Sequence, residues 1–166
     1  MRLMRAAAIA ALFFASASSL AQELWGGNSF GMSGETVRKL NPAATTPANP
    51  STLQTGAKEV LEQYGVPIGR NTFTARFYFK EAKLHQITLE LQDNLSSEDI
   101  ARLWDELYAL NVAQYGKESS LRSGSGQVRG KAATWAIDGK EMTLFFLAKE
   151  GFKPIMNIVY QSQSQK

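Results

Sequence analysis

The sequence predicts an α+β fold in which an antiparallel sheet packs against one long helix and one short helix. Thr72–Leu91 alternates apolar and polar residues on both sides of a charged turn, which indicates two paired strands with one buried face. Ser97–Tyr115 repeats apolar residues at the helical spacing. Ala132–Leu147 is typical of a second hairpin, because Asp138-Gly139 is a favoured two-residue turn.

The first 21 residues have the features of a cleaved secretory signal. Arg2 and Arg5 precede a short apolar segment, Ala6–Ala17. Small residues at Ser19 and Ala21 then fit a signal-peptidase cut after Ala21. The apolar segment is shorter than the roughly 20 residues that a membrane span needs. We therefore expect a periplasmic or secreted protein with no membrane insertion after cleavage.

Composition narrows the possible partners and cofactors. Removal of Arg2 and Arg5 lowers the formal net charge from +3 to about +1, which gives no basis for a nucleic-acid partner. The chain contains no cysteine, so lipid attachment at cysteine, disulfides, cysteine zinc sites and thiol catalysis are excluded. We expect no cofactor and a fold held together by its core alone.

The first half contains a short helix, a loop and strands. Ser33 is the predicted N-cap of a helix of about two turns, which ends before Pro42. Ala43–Ser51 has two prolines and no large apolar residue, so it is predicted to be a loop. Residues 57–66 fit either a helix or a strand. We favour a strand, because it would pair with Thr72–Phe79.

The second half begins with the long helix, and Lys117–Gly130 follows it. This stretch is predicted to be a flexible loop, because it contains four serines and three glycines. Strands are predicted at Ala132–Ile137, Glu141–Leu147 and Ile155–Tyr160. At the other end of the chain, Glu23–Ser29 is a glycine-rich lead-in to the first helix.

The two halves have the same order of elements: a helix, a loop and three strands. We therefore predict tandem α-β-β-β units at 22–95 and 96–166, after the signal at 1–21. Each unit is too small to bury both faces of its own sheet. The two sheets should join into one continuous sheet or dock face to face.

This order of elements resembles two families of small exported proteins. One has the beta-lactamase-inhibitor-like fold, a tandem of helix-plus-sheet modules. The other has the outer-membrane-assembly small-lipoprotein fold, built on one such module. Both families act by binding other proteins, so the resemblance implies a non-catalytic role. The chain departs from them because it lacks the two disulfides of the first and the lipidated cysteine of the second. The residues that prompt the comparison are Phe30-Gly31-Met32-Ser33, Val37, Leu40, Phe77-Tyr78-Phe79, Lys83-Leu84 and Ile87.

No group of residues in the sequence predicts a catalytic or metal site. His85 is the only histidine, and no G-x-S-x-G motif is present to supply a nucleophilic serine. We expect His85 to be a partly exposed sheet residue. Glu62 and Glu90 could face each other across neighbouring strands. Arg76 and Lys83 are available to neutralise them, so we expect no carboxylate catalytic pair and no enzyme activity.

The sequence is best explained by an exported, non-catalytic module that binds another protein. Within this class, an inhibitor- or immunity-like protein is the first interpretation, and a cell-envelope accessory factor is the second. The chain has more aromatic residues than one sheet face needs, so we expect a partner-binding surface. That surface is predicted to include Trp25, Arg76, Tyr78 and Phe145.

The alternative function is a periplasmic carrier of a small molecule or lipid. Its pocket would lie between the long helix and the sheet, lined by Trp104, Tyr108 and Phe77. A cavity of several hundred Å³ at this place would favour the carrier. A packed core with an aromatic surface elsewhere would favour the protein partner.

Overall fold

A computed structural model of the chain describes residues 22–124, 126 and 128–163. The predicted signal at 1–21 and its cut after Ala21 lie outside these residues. The described part contains a seven-stranded antiparallel sheet, a two-stranded sheet and two helices. The predicted α+β class is therefore confirmed.

Both helices begin after a serine N-cap, at Ser33 as predicted and at Ser96. Ser33 accepts a hydrogen bond from the Thr36 amide at 3.2 Å, and Ser96 accepts one from the Asp99 amide at 3.1 Å. These bonds satisfy amide groups that the first turn of a helix leaves without a partner. Neither helix of the described chain is long and apolar enough to cross a bilayer. The helices are α1, Gly34–Leu40, and α2, Ser97–Tyr115.

The strands settle one open question and confirm one turn. Residues 57–66 belong almost entirely to a strand, as favoured above. Asp138 and Gly139 both have positive φ, 47° and 79°, as a two-residue hairpin turn requires. In chain order the strands are β1 Glu23–Trp25, β2 Asn28–Ser29, β3 Lys58–Ile68, β4 Asn71–Lys80, β5 Lys83–Leu91, β6 Ser120–Gly124, β7 Val128–Ile137, β8 Lys140–Lys149 and β9 Ile155–Ser162.

The prediction of a flexible loop over Lys117–Gly130 is wrong. β6 occupies the middle of this stretch, and β7 begins before its end. The two strands pair in unbroken register, from Ser120 opposite Thr134 to Gly124 opposite Gly130. Gly130 is required by close packing, since a Cβ there would lie 3.0 Å from the Phe146 carbonyl oxygen. Ser120, Ser123, Gly124 and Gly130, which favoured a loop, lie in this strand pair.

One sheet joins the two halves of the chain. Its strand order is β3-β4-β5-β9-β8-β7-β6. β5 and β9 pair near the middle, with Gln86 opposite Gln161 and Glu90 opposite Asn157. Of the two arrangements that the sequence left open, the structure has the continuous sheet. The second half also has one strand more than expected, because β6 precedes β7–β9.

One face of the sheet carries both helices, the β1–β2 hairpin and the hydrophobic core. Every second residue of a strand points to this face, so the apolar residues of the predicted alternation are buried together. The core runs without interruption across both halves of the chain. It includes Leu24, Val37, Phe73, Phe77, Leu89, Ile100, Trp104, Trp135, Leu144 and Phe146.

The segment between α1 and β3 wraps around the outer edge of β3. Ala44 is buried in the core on one side of the sheet. On the other side, the Ser51 and Tyr78 hydroxyl oxygens are 3.0 Å apart. Between these points, Thr45 and Glu62 exchange two backbone hydrogen bonds of 2.8 Å. The outer edge of β3 is therefore covered by the chain itself.

Trp104 anchors α2 on the sheet. Its side chain is 3% exposed, and its ring stacks on Tyr108 with 5.0 Å between the centroids. Its indole N–H donates to the Leu144 carbonyl oxygen at 3.4 Å. The Lys131 ammonium lies 4.7 Å from the Trp104 ring centroid, where a cation is attracted to an aromatic face. The predicted packing of the long helix on the sheet is confirmed.

The Trp104→Ala variant is expected to lower the free energy of unfolding by about 3–5 kcal/mol, because it leaves a cavity in the core. Urea unfolding followed by circular dichroism measures the loss. Leu110→Ala is the control on the same helix, since Leu110 is 64% exposed. It should cost less than about 0.5 kcal/mol. A loss below about 1 kcal/mol for Trp104→Ala would contradict the anchoring role.

Candidate functional site

The face of β6–β9 that points away from α2 carries a broad recess, and we call this face the open face. The recess has a volume of about 1190 Å³. Its lining comes from alternate residues of neighbouring strands, together with residues near both ends of the described chain. The central lining residues are Ser120, Ala132, Thr134, Ala136 and Thr143, and Arg122 of the edge strand lies at the rim.

The recess exists because its central side chains are short. On β7, Ala133 and Trp135 are buried in the core, so Ala132, Thr134 and Ala136 point to the open face. None of these three side chains rises far above the backbone. Both described helices lie on the opposite face of the sheet. A partner can therefore approach the sheet closely over β7.

Hydrogen bonds between neighbouring strands fix the polar side chains of the recess. The hydroxyl oxygens of Thr134 and Thr143 are 2.9 Å apart. The Gln161 side-chain amide donates to the Glu141 carboxylate at 3.1 Å. Arg122 is exposed and makes no ion pair with any described residue. The recess thus combines a preformed polar floor with a cation at its rim.

The open face becomes apolar towards the other end of the same strands. Leu147 of β8 lies opposite Ile155 of β9, and Phe145 is two residues from Leu147 on the same face. Val128 of β7 and Ile155 are 41% and 40% exposed. We call Val128, Phe145, Leu147 and Ile155 the apolar patch. An apolar centre next to a polar rim is the usual anatomy of a protein–protein interface.

In the first half of the chain, the same sheet face is charged, with two buried carboxylates and a partly buried arginine. Arg76 of β4 lies among three carboxylates: its Nη1 is 2.7 Å from Glu59 and 3.1 Å from Glu62, and its Nε is 2.6 Å from Glu90. Burial lowers the pKa of Arg76, but hydrogen bonds to Glu90 and Glu59 outweigh burial and raise it. Arg76 pairs with both Glu62 and Glu90, as predicted, whereas Lys83 forms no ion pair with either of these described residues. The expectation that Glu62 and Glu90 face each other across neighbouring strands is wrong, because β4 lies between β3 and β5.

Glu59 ties this charged cluster to the segment before β3. Its carboxylate accepts hydrogen bonds from the Ser51 hydroxyl at 2.6 Å and from the Ser51 amide at 3.0 Å. Burial alone would raise the pKa of Glu59, but the bonds from Ser51 and Arg76 lower it below its ordinary value of 4.5. The carboxylate is therefore ionised at neutral pH, although its side chain is fully buried.

The structure does not bring the four predicted partner-binding residues together. Trp25 packs against the core, on the face opposite the recess. Arg76 is held by its carboxylates, and Tyr78 is only 5% exposed. Phe145 belongs to the apolar patch, three strands and roughly 14 Å from the strand of Arg76. Of the four, Phe145 lies next to the recess.

His85 and the three carboxylates of the charged cluster are the described groups that acid–base or metal chemistry could use. The His85 ring is half-buried, with its centroid 6.0 Å from that of Phe30. Burial and the charge of Lys80 lower the pKa of His85. The three carboxylates of the charged cluster point at Arg76. Within the described ranges, no group of three or more histidine, aspartate or glutamate side chains is arranged to hold a metal ion.

The residues expected to line a carrier pocket lie in the packed hydrophobic core. Phe77 is fully buried. Tyr108 packs between Trp104 and Trp135, with ring centroids 5.0 and 5.8 Å away. The Tyr108 hydroxyl donates to Glu118 at 2.9 Å. The recess lies on the opposite face of the sheet, and the carrier function stays a prediction.

The recess itself was not predicted, because Ser120 and Arg122 fall in the stretch that resembles a loop. One signal for it is present on β7. Small residues recur from Ala132 to Ala136, whereas Trp135 between them is large. Such an alternation indicates a strand with one packed face and one bare face. The hydrogen bonds from Ser51 to the Glu59 carboxylate were also not predicted, because they depend on how the segment before β3 wraps around that strand.

Comparison of the chain with models of known families, with curated proteins and with solved structures gave no match. The resemblance to the beta-lactamase-inhibitor-like and small-lipoprotein folds therefore stays a prediction. The geometry of the described residues is what supports a function.

The charged cluster should make stability depend on pH through Glu59. Because the pKa of Glu59 is lower in the folded chain than in the unfolded chain, the unfolded chain takes up a proton first on acidification. The contribution of Glu59 to stability is thus complete above about pH 4.5 and is lost as pH falls through the folded pKa. Urea unfolding at several pH values measures this loss.

Glu59→Gln removes the titrating group and is expected to cost about 1–3 kcal/mol at pH 7, because hydrogen bonds to a charged group are lost. It should also flatten the fall in stability between about pH 5 and pH 3. Glu35→Gln is the matched control, since the Glu35 side chain is 78% exposed. A Glu59→Gln variant that keeps the wild-type pH slope would contradict this role.

Proposed function

We propose that this chain is an exported, non-catalytic module that binds a partner protein through its open face. The observation that carries the proposal is the recess over β6–β9, which no helix or strand of the described chain covers and which is continuous with the apolar patch. An antiparallel sheet can leave its second face in water, but exposed apolar side chains such as Val128 and Ile155 favour cover by another layer. A partner protein would supply that layer here.

The shape and lining of the recess favour a protein over a small molecule. Small-molecule sites are clefts of about 300–1,000 Å³ that enclose their ligand and are lined mainly by apolar side chains. This recess is larger, at about 1190 Å³, and its centre consists of serine, threonine and alanine. The apolar residues lie beside it, at the exposed patch. A broad polar surface with an apolar neighbour matches a protein interface.

Two partner classes follow from the sequence interpretation. The first is an enzyme or toxin that the module would inhibit or neutralise. The second is a component of cell-envelope assembly. A preformed sheet face supports the first class, because side chains held by cross-strand bonds such as Thr134–Thr143 lose little freedom on docking.

The export part of the proposal predicts cleavage after Ala21. N-terminal sequencing of the protein from a cell-envelope or secreted fraction should begin at Gln22. The Ala21→Arg variant should accumulate uncleaved, because the peptidase requires a small residue at this position. Recovery of the uncleaved wild-type chain from the cytoplasm alone would contradict export.

The binding part predicts that an arginine in the recess blocks the partner. Ala136→Arg places a long charged side chain over β7, at a position that is exposed and lines the recess. Proteins captured from an envelope extract by wild type should be reduced at least about tenfold with this variant, because the contact surface is blocked. Each such protein is then purified and its Kd for both forms is measured by calorimetry.

Ala113→Arg is the matched control, since Ala113 is exposed on α2, on the other side of the sheet. It should capture the same proteins as wild type. Equal capture by all three forms, or no saturable binding by any purified candidate, would sink the proposal. Urea unfolding of both variants confirms that each is folded.

A further inference from the structure

The two edges of the seven-stranded sheet differ in how they are protected. β3 forms one edge, and the wrapping segment covers it: the Glu59 amide donates to the Ser51 carbonyl oxygen at 2.9 Å, and Thr45 pairs with Glu62. β3 also contains Pro67 and two register shifts against β4. Proline, bulges and a covering loop are the devices by which proteins prevent further strands from adding to an edge.

β6 forms the other edge and has no proline, bulge or covering segment among the described residues, so its protection is limited to its short length and the charge of Arg122. Within the described chain, its outer side pairs with no strand and no isolated bridge. It contains no proline or lysine, and its register with β7 has no shift. Four of its five residues are exposed. A regular strand thus presents unpaired backbone N–H and C=O groups to solvent.

We propose that β6 accepts an extended segment of the partner protein as an eighth, antiparallel strand. The inference rests on the proposed protein-binding function and names the part of the partner that docks first. Backbone hydrogen bonds provide the attraction in this mode of recognition, and alternate side chains provide the selectivity. Because Ser120 and Arg122 of β6 line the recess, the added strand would continue the open face.

The side chains of β6 define the chemistry of the added segment. Arg122 lies opposite Ala132, on the open face, and makes no ion pair with a described residue. A carboxylate directly across from Arg122 would pair with it. Leu121 points to the other face and is 52% exposed. The segment that fits is therefore extended, with an acidic residue on the open-face side and apolar residues next to it.

A second copy of this chain fits β6 less well than a partner does. An antiparallel pair of two β6 strands that overlaps all five residues is centred on Arg122. It would set two guanidinium groups opposite each other, and like charges at directly opposed positions are destabilising. Charge complementarity thus favours an acidic segment of another protein.

The test uses capped five-residue peptides at millimolar concentration with the ¹⁵N-labelled mature chain. The probe is Thr-Val-Glu-Val-Thr, and its counterpart has lysine in place of glutamate. We expect amide shifts and slower hydrogen exchange at 120–124, with at least tenfold weaker binding of the lysine peptide. Methylation of the probe amides that face β6 should abolish binding, because it removes the backbone donors.

Charge reversal provides the matched controls. Arg122→Glu should invert the preference between the two peptides, whereas Arg38→Glu, on exposed α1 residue Arg38, should leave it unchanged. Amide shifts confined to other strands would overturn the inference. So would peptide binding that methylation does not weaken, or a peptide preference that Arg122→Glu does not change. A dimer in sedimentation that Ser123→Pro dissolves would also overturn it in favour of a second copy. If Ala136→Arg still blocks the captured partner in any of these cases, the proposed function stands and only the strand addition fails.

Discussion

The described chain has more sheet than its two helices and its hairpin can cover. Two helices and a small hairpin lie on one face, and the core depends on that layer. The second face must be made compatible with water or with a partner in some other way. The two halves of the chain meet this requirement differently. The first half fills the face with polar groups that bind one another around Arg76, and the second half carries short side chains that leave a recess.

The half of this face that is filled with polar groups ends at the covered edge of β3. The half that carries the recess ends at the exposed edge of β6. Glu59 is part of the charged cluster and also holds Ser51, whose segment covers the edge of β3. Buried ion pairs cost desolvation energy, and their benefit is often positional. Here the cluster positions the segment around Ser51, which covers the edge of β3. The recess and the edge of β6, which pairs with no other described strand, lie together at the opposite side of the sheet.

Features that depend on near neighbours in sequence could be predicted. The cap at Ser96, the apolar side of α2 and the turn at Asp138-Gly139 are each defined within a few residues. Pairings between distant segments could not be predicted, because the pattern of a strand does not name its neighbour. The contact of Ser51 with Glu59 is of this kind. β6 was missed for another reason: a strand with short, polar and exposed side chains has the composition of a loop.

The pairing of β5 with β9 also has a kinetic meaning. Glu90 and Asn157 meet at the middle of the sheet, although they are 67 positions apart in the chain. Closing so long a loop costs conformational entropy before any stabilising contact forms, so sheets with such distant pairings form slowly. A nascent chain that stops before Ile155 leaves one edge of β5 and one edge of β8 without a partner strand. β9, the last strand of the described chain, therefore pairs with both edges and joins two aggregation-prone sheets into one.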